Sequence, residues 1–133
     1  MNIAVSATGS TLDAQVDPRF GRCSYFIITD ADTVSFEALP NTAANAMGGA
    51  GIQAAQEIAN KGVKVLITGN VGPNAFQTLS AAGIEVVIGA SGTVKEAIEK
   101  YKKGELNKAG SPTVQGHHGM GMGTGRGQRR RQQ

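Results

Sequence analysis

The sequence has little of what stabilises or anchors many small proteins: its 133 residues include one cysteine, no tryptophan, two tyrosines and four phenylalanines. A single cysteine cannot form a disulfide within the chain, which excludes a disulfide scaffold. No apolar run approaches the roughly 20 residues that cross a bilayer, and the first residues form a strand pattern instead of a signal sequence. We therefore expect a cytoplasmic protein with no membrane partner and a core that needs no structural metal.

Positive charge is concentrated at the C-terminal end of the chain. The net charge is +3, yet residues 1–108 hold nine Lys and Arg against all ten Asp and Glu. Residues 111–133 contain no Leu, Ile or Phe, are rich in Gly, and end in an arginine run. Such a segment buries too little apolar surface to offset its ordering entropy. We expect an ordered domain over residues 1–106 and a disordered Gly-, His-, Met- and Arg-rich tail over 107–133.

The body alternates short apolar strands with amphipathic helices. Strand patterns cover 2–6, 25–29, 33–39, 63–68 and 84–88, and helical spacing covers 52–61, 73–82 and 93–101. Pro73 occupies a first-turn position, and Thr93 with Glu96 has the spacing of a capping box. The order β-β-β-α-β-α-β-α predicts an α/β fold with a mixed five-stranded sheet.

The strand order brings several loops to one edge of that sheet. Right-handed crossovers make the first, fourth and fifth strands parallel, and the hairpin at 30–32 makes the second strand antiparallel. The loop after the first strand and the amino ends of all three helices then lie at the carboxyl edge, where open α/β sheets bind ligands.

Two arginines in the loop at 17–23 are the strongest binding signal. Arg19 and Arg22 flank Phe20 and Gly21, which can supply a turn, and each guanidinium offers a planar fork of donors for a multiply charged anion. The simpler interpretation is a surface ion pair between Asp17 and Arg19 beside a solvated Arg22.

Glycine-rich segments precede two of the helices, at 48–51 and 69–72. Helix starts of this kind present unpaired backbone N–H groups to an anion, although the glycines could instead serve tight turns and close packing. Neither segment matches a nucleotide-binding fingerprint, so ATP, GTP and dinucleotides are disfavoured.

Catalytic signals are weak, and we expect no enzymatic activity. Strands 2–6 and 63–68 contain no carboxylate for a metal-dependent nuclease. Cys23 has no histidine partner in the body; Arg22 could favour its thiolate, or Cys23 could be a small core residue.

The tail offers two further chemistries. Imidazole and thioether groups at His117, His118, Met120 and Met122 could bind a soft metal, although the same composition suits a plain linker. The terminal arginines could contact nucleic acid nonspecifically, but no aromatic residue is interleaved with them, so a nucleic-acid partner is disfavoured.

Four ordered motifs together resemble the dinitrogenase iron-molybdenum cofactor biosynthesis family over about residues 1–105. They are the segment 17–23 followed by Phe26, the helix start 48–52, the segment 69–75 and the segment 82–86. The resemblance implies a three-layer ribonuclease H-like fold and the binding or carriage of iron-sulfur or iron-molybdenum cluster precursors. Some related proteins hold molybdenum-copper sulfide clusters, and some larger members use a body histidine that this chain lacks.

We therefore predict a carrier for an anionic metal-sulfur cluster, with cluster donor and acceptor proteins as partners. The predicted cluster-binding residues are Arg19, Phe20, Gly21, Arg22, Cys23, Gly48, Gly49, Ala50, Gly51, Asn70 and Gly72. The predicted metal ligands are Cys23, His117, His118, Met120 and Met122. Two alternatives stay open: a regulator that binds a small anion or phosphometabolite without metal, and a nucleic-acid or protein adaptor acting through the basic tail.

Overall fold

The computed structural model describes residues 1–30, 32 and 35–109. Within these residues no helix is long and apolar enough to cross a membrane. The elements follow in the order β1 (Asn2–Ala7), β2 (Tyr25–Asp30), β3 (Phe36–Pro40), α1 (Ala50–Asn60), β4 (Val63–Ile67), α2 (Pro73–Ala81), β5 (Glu85–Ile88), α3 (Val94–Lys102) and β6 (Asn107–Lys108).

The strands found in the described residues belong to one mixed sheet with the order β3-β2-β1-β4-β5-β6. Strands β1, β4 and β5 are parallel, whereas β2 is antiparallel to both β1 and β3. The central strands β1 and β4 are apolar and almost entirely buried, as strands covered on both faces are. The predicted mixed α/β class and the strand directions are confirmed.

The predicted number of five strands is wrong, because the described residues contain a sixth. Strand β6 is antiparallel to β5, with Lys108 opposite Val87 and Asn107 opposite Ile88. The N–H of Ala109 also donates to the carbonyl of Val86 at 2.8 Å. A polar edge strand of two residues has no apolar alternation to reveal it. Backbone hydrogen bonding to β5 therefore continues to residue 109, three residues past the predicted domain boundary at 106. Residues 110–133 lie outside the described residues.

The helices cover the two faces of the sheet unequally. Helices α1 and α2 pack against each other on one face, over a core that includes Phe26, Ile58, Leu66 and Leu79. Helix α3 and the loop after β1 cover the other face, over Ile3, Val5 and their neighbours. These are the three layers expected, while the ribonuclease H-like assignment stays a prediction.

Helix α3 has the predicted capping box. The Thr93 hydroxyl accepts from the Glu96 backbone N–H at 3.1 Å, and the Glu96 carboxylate accepts from the Thr93 N–H at 2.8 Å. These hydrogen bonds lower the pKa of Glu96. The N-terminus of α3 is therefore satisfied by its own side chains.

Candidate functional site

A groove of about 500 Å³ lies where the loop after β1 meets the first turns of α1 and α2. Its walls are residues 18–22 from the loop, 49–52 at the start of α1, and 70 and 72–75 at the start of α2. Among the residues that the structure describes, no Asp or Glu lines it. The groove is at the carboxyl ends of β1 and β4, where the topology predicts a ligand.

Buried hydroxyls at the ends of β1 and β4 hold the arginine loop in place. Ser6 Oγ donates to the Asp17 carbonyl at 2.6 Å and lies 2.8 Å from Thr68 Oγ1. The Asp17 N–H donates to the Ser6 carbonyl at 2.9 Å, and the Asn70 N–H donates to the Pro18 carbonyl at 2.9 Å. The arginine loop, which forms one wall of the groove, is thus hydrogen-bonded to β1 and to the segment that follows β4.

Glycines allow the three walls to approach closely. A Cβ on Gly21 would lie 2.9 Å from the Gly51 nitrogen, and a Cβ on Gly51 would lie 2.9 Å from Ala75 Cβ. A Cβ on Gly69 would lie 2.7 Å from Pro18 Cα. The close-packing interpretation of the glycines therefore holds at these three positions.

Arg19 forms an ion pair whose two ends differ in exposure. Its Nε and Nη2 donate to Asp17 Oδ1 and Oδ2 at 3.2 and 3.1 Å. The Arg19 side chain is 68% exposed and that of Asp17 only 4%. Hydrogen bonding and charge attraction to Asp17 raise the pKa of Arg19. The simpler interpretation is therefore correct about the pair, but the carboxylate lies in the protein interior.

Arg22 lies on the same groove and fastens the loop before α1. Its Nη1 donates to the carbonyls of Ala44 and Ala46 at 2.8 and 2.7 Å. The side chain also lines a neighbouring polar depression that it shares with Arg19. Arg19 and Arg22 therefore both contribute to one wall of the groove.

The two helices that start at the groove have no side-chain caps. Gly49 precedes α1 with φ of 73°, and Gly72 precedes α2 in an extended conformation. The Gln53 and Phe76 N–H groups donate back to the carbonyls of these two glycines. Earlier N–H groups in each first turn have no capping side chain, and neither turn holds an acidic residue. Both helices thus present the positive ends of their dipoles to the groove.

Cys23 lies beneath the groove and does not line it. Its side chain is fully buried, and its Sγ donates to the Phe20 carbonyl at 3.3 Å. Burial raises the pKa of the thiol to about 12, so the group is neutral near pH 7. Of the two interpretations of Cys23, the small core residue fits this environment, and a thiolate favoured by Arg22 does not.

Nine of the eleven predicted cluster-binding residues line the groove, the exceptions being Cys23 and Gly48. Phe20 contributes to the floor, where its ring is 3% exposed and packs on Phe26. Sequence reasoning missed Pro18, Ile52, Pro73, Asn74 and Ala75. All five lie within the motifs at 17–23, 48–52 and 69–75, which the predicted binding residues covered only in part.

Metal ligands are scarce in the described part of the chain. Residues 1–30, 32 and 35–109 contain no group of three or more His, Cys, Asp or Glu side chains that could hold a metal ion. The predicted ligands His117, His118, Met120 and Met122 lie outside the described residues.

The fold and the site together define a class of protein. It is a three-layer α/β domain in which two arginines and two uncapped helix starts surround one groove. Residues 1–104 match the family model described as dinitrogenase iron-molybdenum cofactor. The chain therefore belongs to this family, as the sequence motifs predict. Membership ties it to metal-cofactor biosynthesis and implies an association with a metal cluster.

Individual relatives agree with the family assignment. The apo form of the orange protein from Desulfovibrio gigas shares 44% identity and superimposes with a TM-score of 0.83, over 85% of this chain and 96% of that one. A Thermotoga protein of the DUF35 family shares 42% identity at a TM-score of 0.72, over 80% and 91% of the two chains. An uncharacterized protein of Methanocaldococcus jannaschii is 35% identical over 97 residues, which are 71% of this chain and 82% of that one.

Proposed function

We propose that this protein is a non-enzymatic carrier of an anionic metal-sulfur cluster and that the groove between α1, α2 and the arginine loop holds the cluster. The convergence of Arg19, Arg22 and two uncapped helix starts on one groove is the observation that supports it. The family assignment supports a metal cluster as the cargo. Our proposal is that this cluster is of the iron-sulfur, iron-molybdenum or molybdenum-copper sulfide type.

The chemistry of the groove suits a cluster that arrives with its own sulfide ligands. Guanidinium and backbone N–H groups can donate to sulfides, and no carboxylate in the lining repels them. A volume of about 500 Å³ is that of an ordinary ligand site. Because the described residues that line the groove include no Cys or His, the groove itself would hold the cluster without replacing its ligands. Such retention favours transfer from a donor protein to an acceptor protein.

The residues we assign to cluster binding follow the lining of the groove. Arg19 and Arg22 supply charge, while the uncapped first turns of α1 and α2 supply backbone N–H groups. Cys23 has no part in this proposal because it is buried and protonated. Metal binding by the four tail residues is an independent prediction. A variant that lacks these side chains distinguishes it from binding in the groove.

The test is anaerobic reconstitution of the full chain with tetrathiomolybdate and copper, and separately with iron, sulfide and molybdate. Gel filtration, metal analysis and visible absorption should show a sulfide-to-metal charge-transfer band that elutes with the protein at a fixed metal ratio. A variant with alanine at His117, His118, Met120 and Met122 should keep the band. Stabilisation by phosphate compounds without any cluster uptake would contradict the carrier function and favour the small-anion regulator.

Replacing both groove arginines should remove most of the bound cluster. Each charge-assisted hydrogen bond contributes about 1.5 to 3 kcal/mol, so we expect the R19A/R22A protein to retain metal at least tenfold less tightly. The K64A/K95A protein removes the same charge at exposed positions outside the groove and should bind normally. Melting temperatures identify any loss that comes from unfolding. Equal retention by both double variants would show that the groove is not the site.

A further inference from the structure

A buried carboxylate lies directly behind the groove, which is unexpected beside a site for anions. Asp17 is 3% exposed, and both of its carboxylate oxygens accept from the Arg19 side chain. Oδ1 also accepts from the Arg19 backbone N–H at 2.9 Å. An anion that binds Arg19 is therefore separated from the negative charge of Asp17 only by the Arg19 side chain.

The backbone around Asp17 is fixed, so this charge cannot move away when a ligand enters. Ser6 holds the Asp17 N–H and carbonyl, and Thr68 supports the Ser6 hydroxyl. Arg19 remains accessible on its other side. A guanidinium has five N–H donors, and the Nε and Nη2 bonds to Asp17 leave three for another acceptor.

We propose that Asp17 is a counter-charge that limits how tightly the groove holds an anion. Arg19 offers oriented donors, while Asp17 cancels most of its net charge, so an anion gains hydrogen bonds but little long-range attraction. The groove therefore loads and releases cargo more readily than two free arginines would allow. This inference rests on the proposed function, because it concerns release of the same cargo.

A merely structural role for Asp17 makes the opposite prediction. If Asp17 only orients Arg19, removing its charge weakens anion binding, and the substitution has no effect once Arg19 is absent. If Asp17 is a counter-charge, D17N binds anions about tenfold more tightly, as expected for a unit charge several ångströms from the ligand. D17N should then also improve binding in the R19A protein, where the carboxylate is left uncompensated.

The experiment measures dissociation constants of the wild type, D17N, R19A and D17N/R19A for tetrathiomolybdate by equilibrium dialysis at low ionic strength. D13N is the matched control, since it removes an exposed carboxylate from the same loop outside the groove. We expect D17N to bind about tenfold tighter than wild type, D13N to change less than twofold, and the double variant to exceed R19A. Weaker binding by D17N, or a double variant equal to R19A, would overturn the proposal.

Two further measurements keep the result interpretable. If D17N does not fold, R19Q and R22Q are compared: R19Q should lose more affinity because it leaves Asp17 uncompensated, and equal losses would overturn the proposal. Sulfate titration followed by NMR repeats the series without any metal. Tighter sulfate binding by D17N in a protein that takes up no cluster would support the counter-charge while refuting the carrier function. A wild type that binds neither anion would refute both.

Discussion

A methyl group at residue 69 should lower the free energy of unfolding by about 3 kcal/mol, the upper part of the range for overpacking a tight site. In the G69A protein, Cβ would lie 2.7 Å from both Cα and Cβ of Pro18 and 3.2 Å from its carbonyl oxygen. Pro18 is held there by the bond from the Asn70 N–H, so backbone must move and that bond must weaken. Thermal and urea denaturation should show the loss, with a melting temperature lower by roughly 10 °C.

Gly72 is the matched control for this prediction. It lies three residues later in the same segment, has an ordinary extended conformation, and a Cβ there would meet no atom within 4 Å. G72A should therefore be nearly as stable as the wild type. If G69A were equally stable, the arginine loop could not be packed on the end of β4 as described.

The glycine motifs show how far sequence reasoning about the site extends. Topology alone brings the arginine loop and the starts of α1 and α2 to one edge, and the structure places them around one groove. The topology predicted from the sequence does not reveal that Gly21, Gly51 and Gly69 are required for close packing, nor that Gly72 borders open space. That distinction depends on distances across the fold, which the local sequence does not encode.

The fold was predicted wherever a segment has its own periodic pattern. Continuous apolar runs identified β1 and β4, and Thr93 with Glu96 identified the start of α3. Strand β6 was missed because Asn107 and Lys108 pair with β5 at an edge and need no apolar face. The burial of Asp17 was also beyond the sequence, since it depends on which way a long loop turns against the sheet. The same turn decides between the two interpretations that the sequence left open for Cys23.

Alkaline pH should destabilise this protein through Cys23. The thiol pKa is raised from 9.0 to about 12 in the folded protein, mainly by burial. Between these values the unfolded chain loses the thiol proton and the folded chain keeps it, so the unfolded state binds fewer protons and stability falls as pH rises. The full contribution is present below about pH 9, and its loss approaches about 4 kcal/mol near pH 12. Urea denaturation at a series of pH values from 8 to 11.5 measures the slope.

The C23A protein isolates this effect from other groups that titrate in the same range, including Tyr101, whose pKa is also raised by burial. C23A should lose about 1 kcal/mol at pH 7, because a buried sulfur is removed from a packed core. Its stability should then fall less steeply than that of the wild type above pH 9, so that the two curves cross at about pH 10 and C23A is the more stable protein at the upper end of the series. Parallel curves would mean that the thiol ionises normally in the folded protein and is accessible to solvent. In that case Cys23 would again be a candidate cluster ligand, and rapid alkylation of the folded protein at pH 8 would accompany the result.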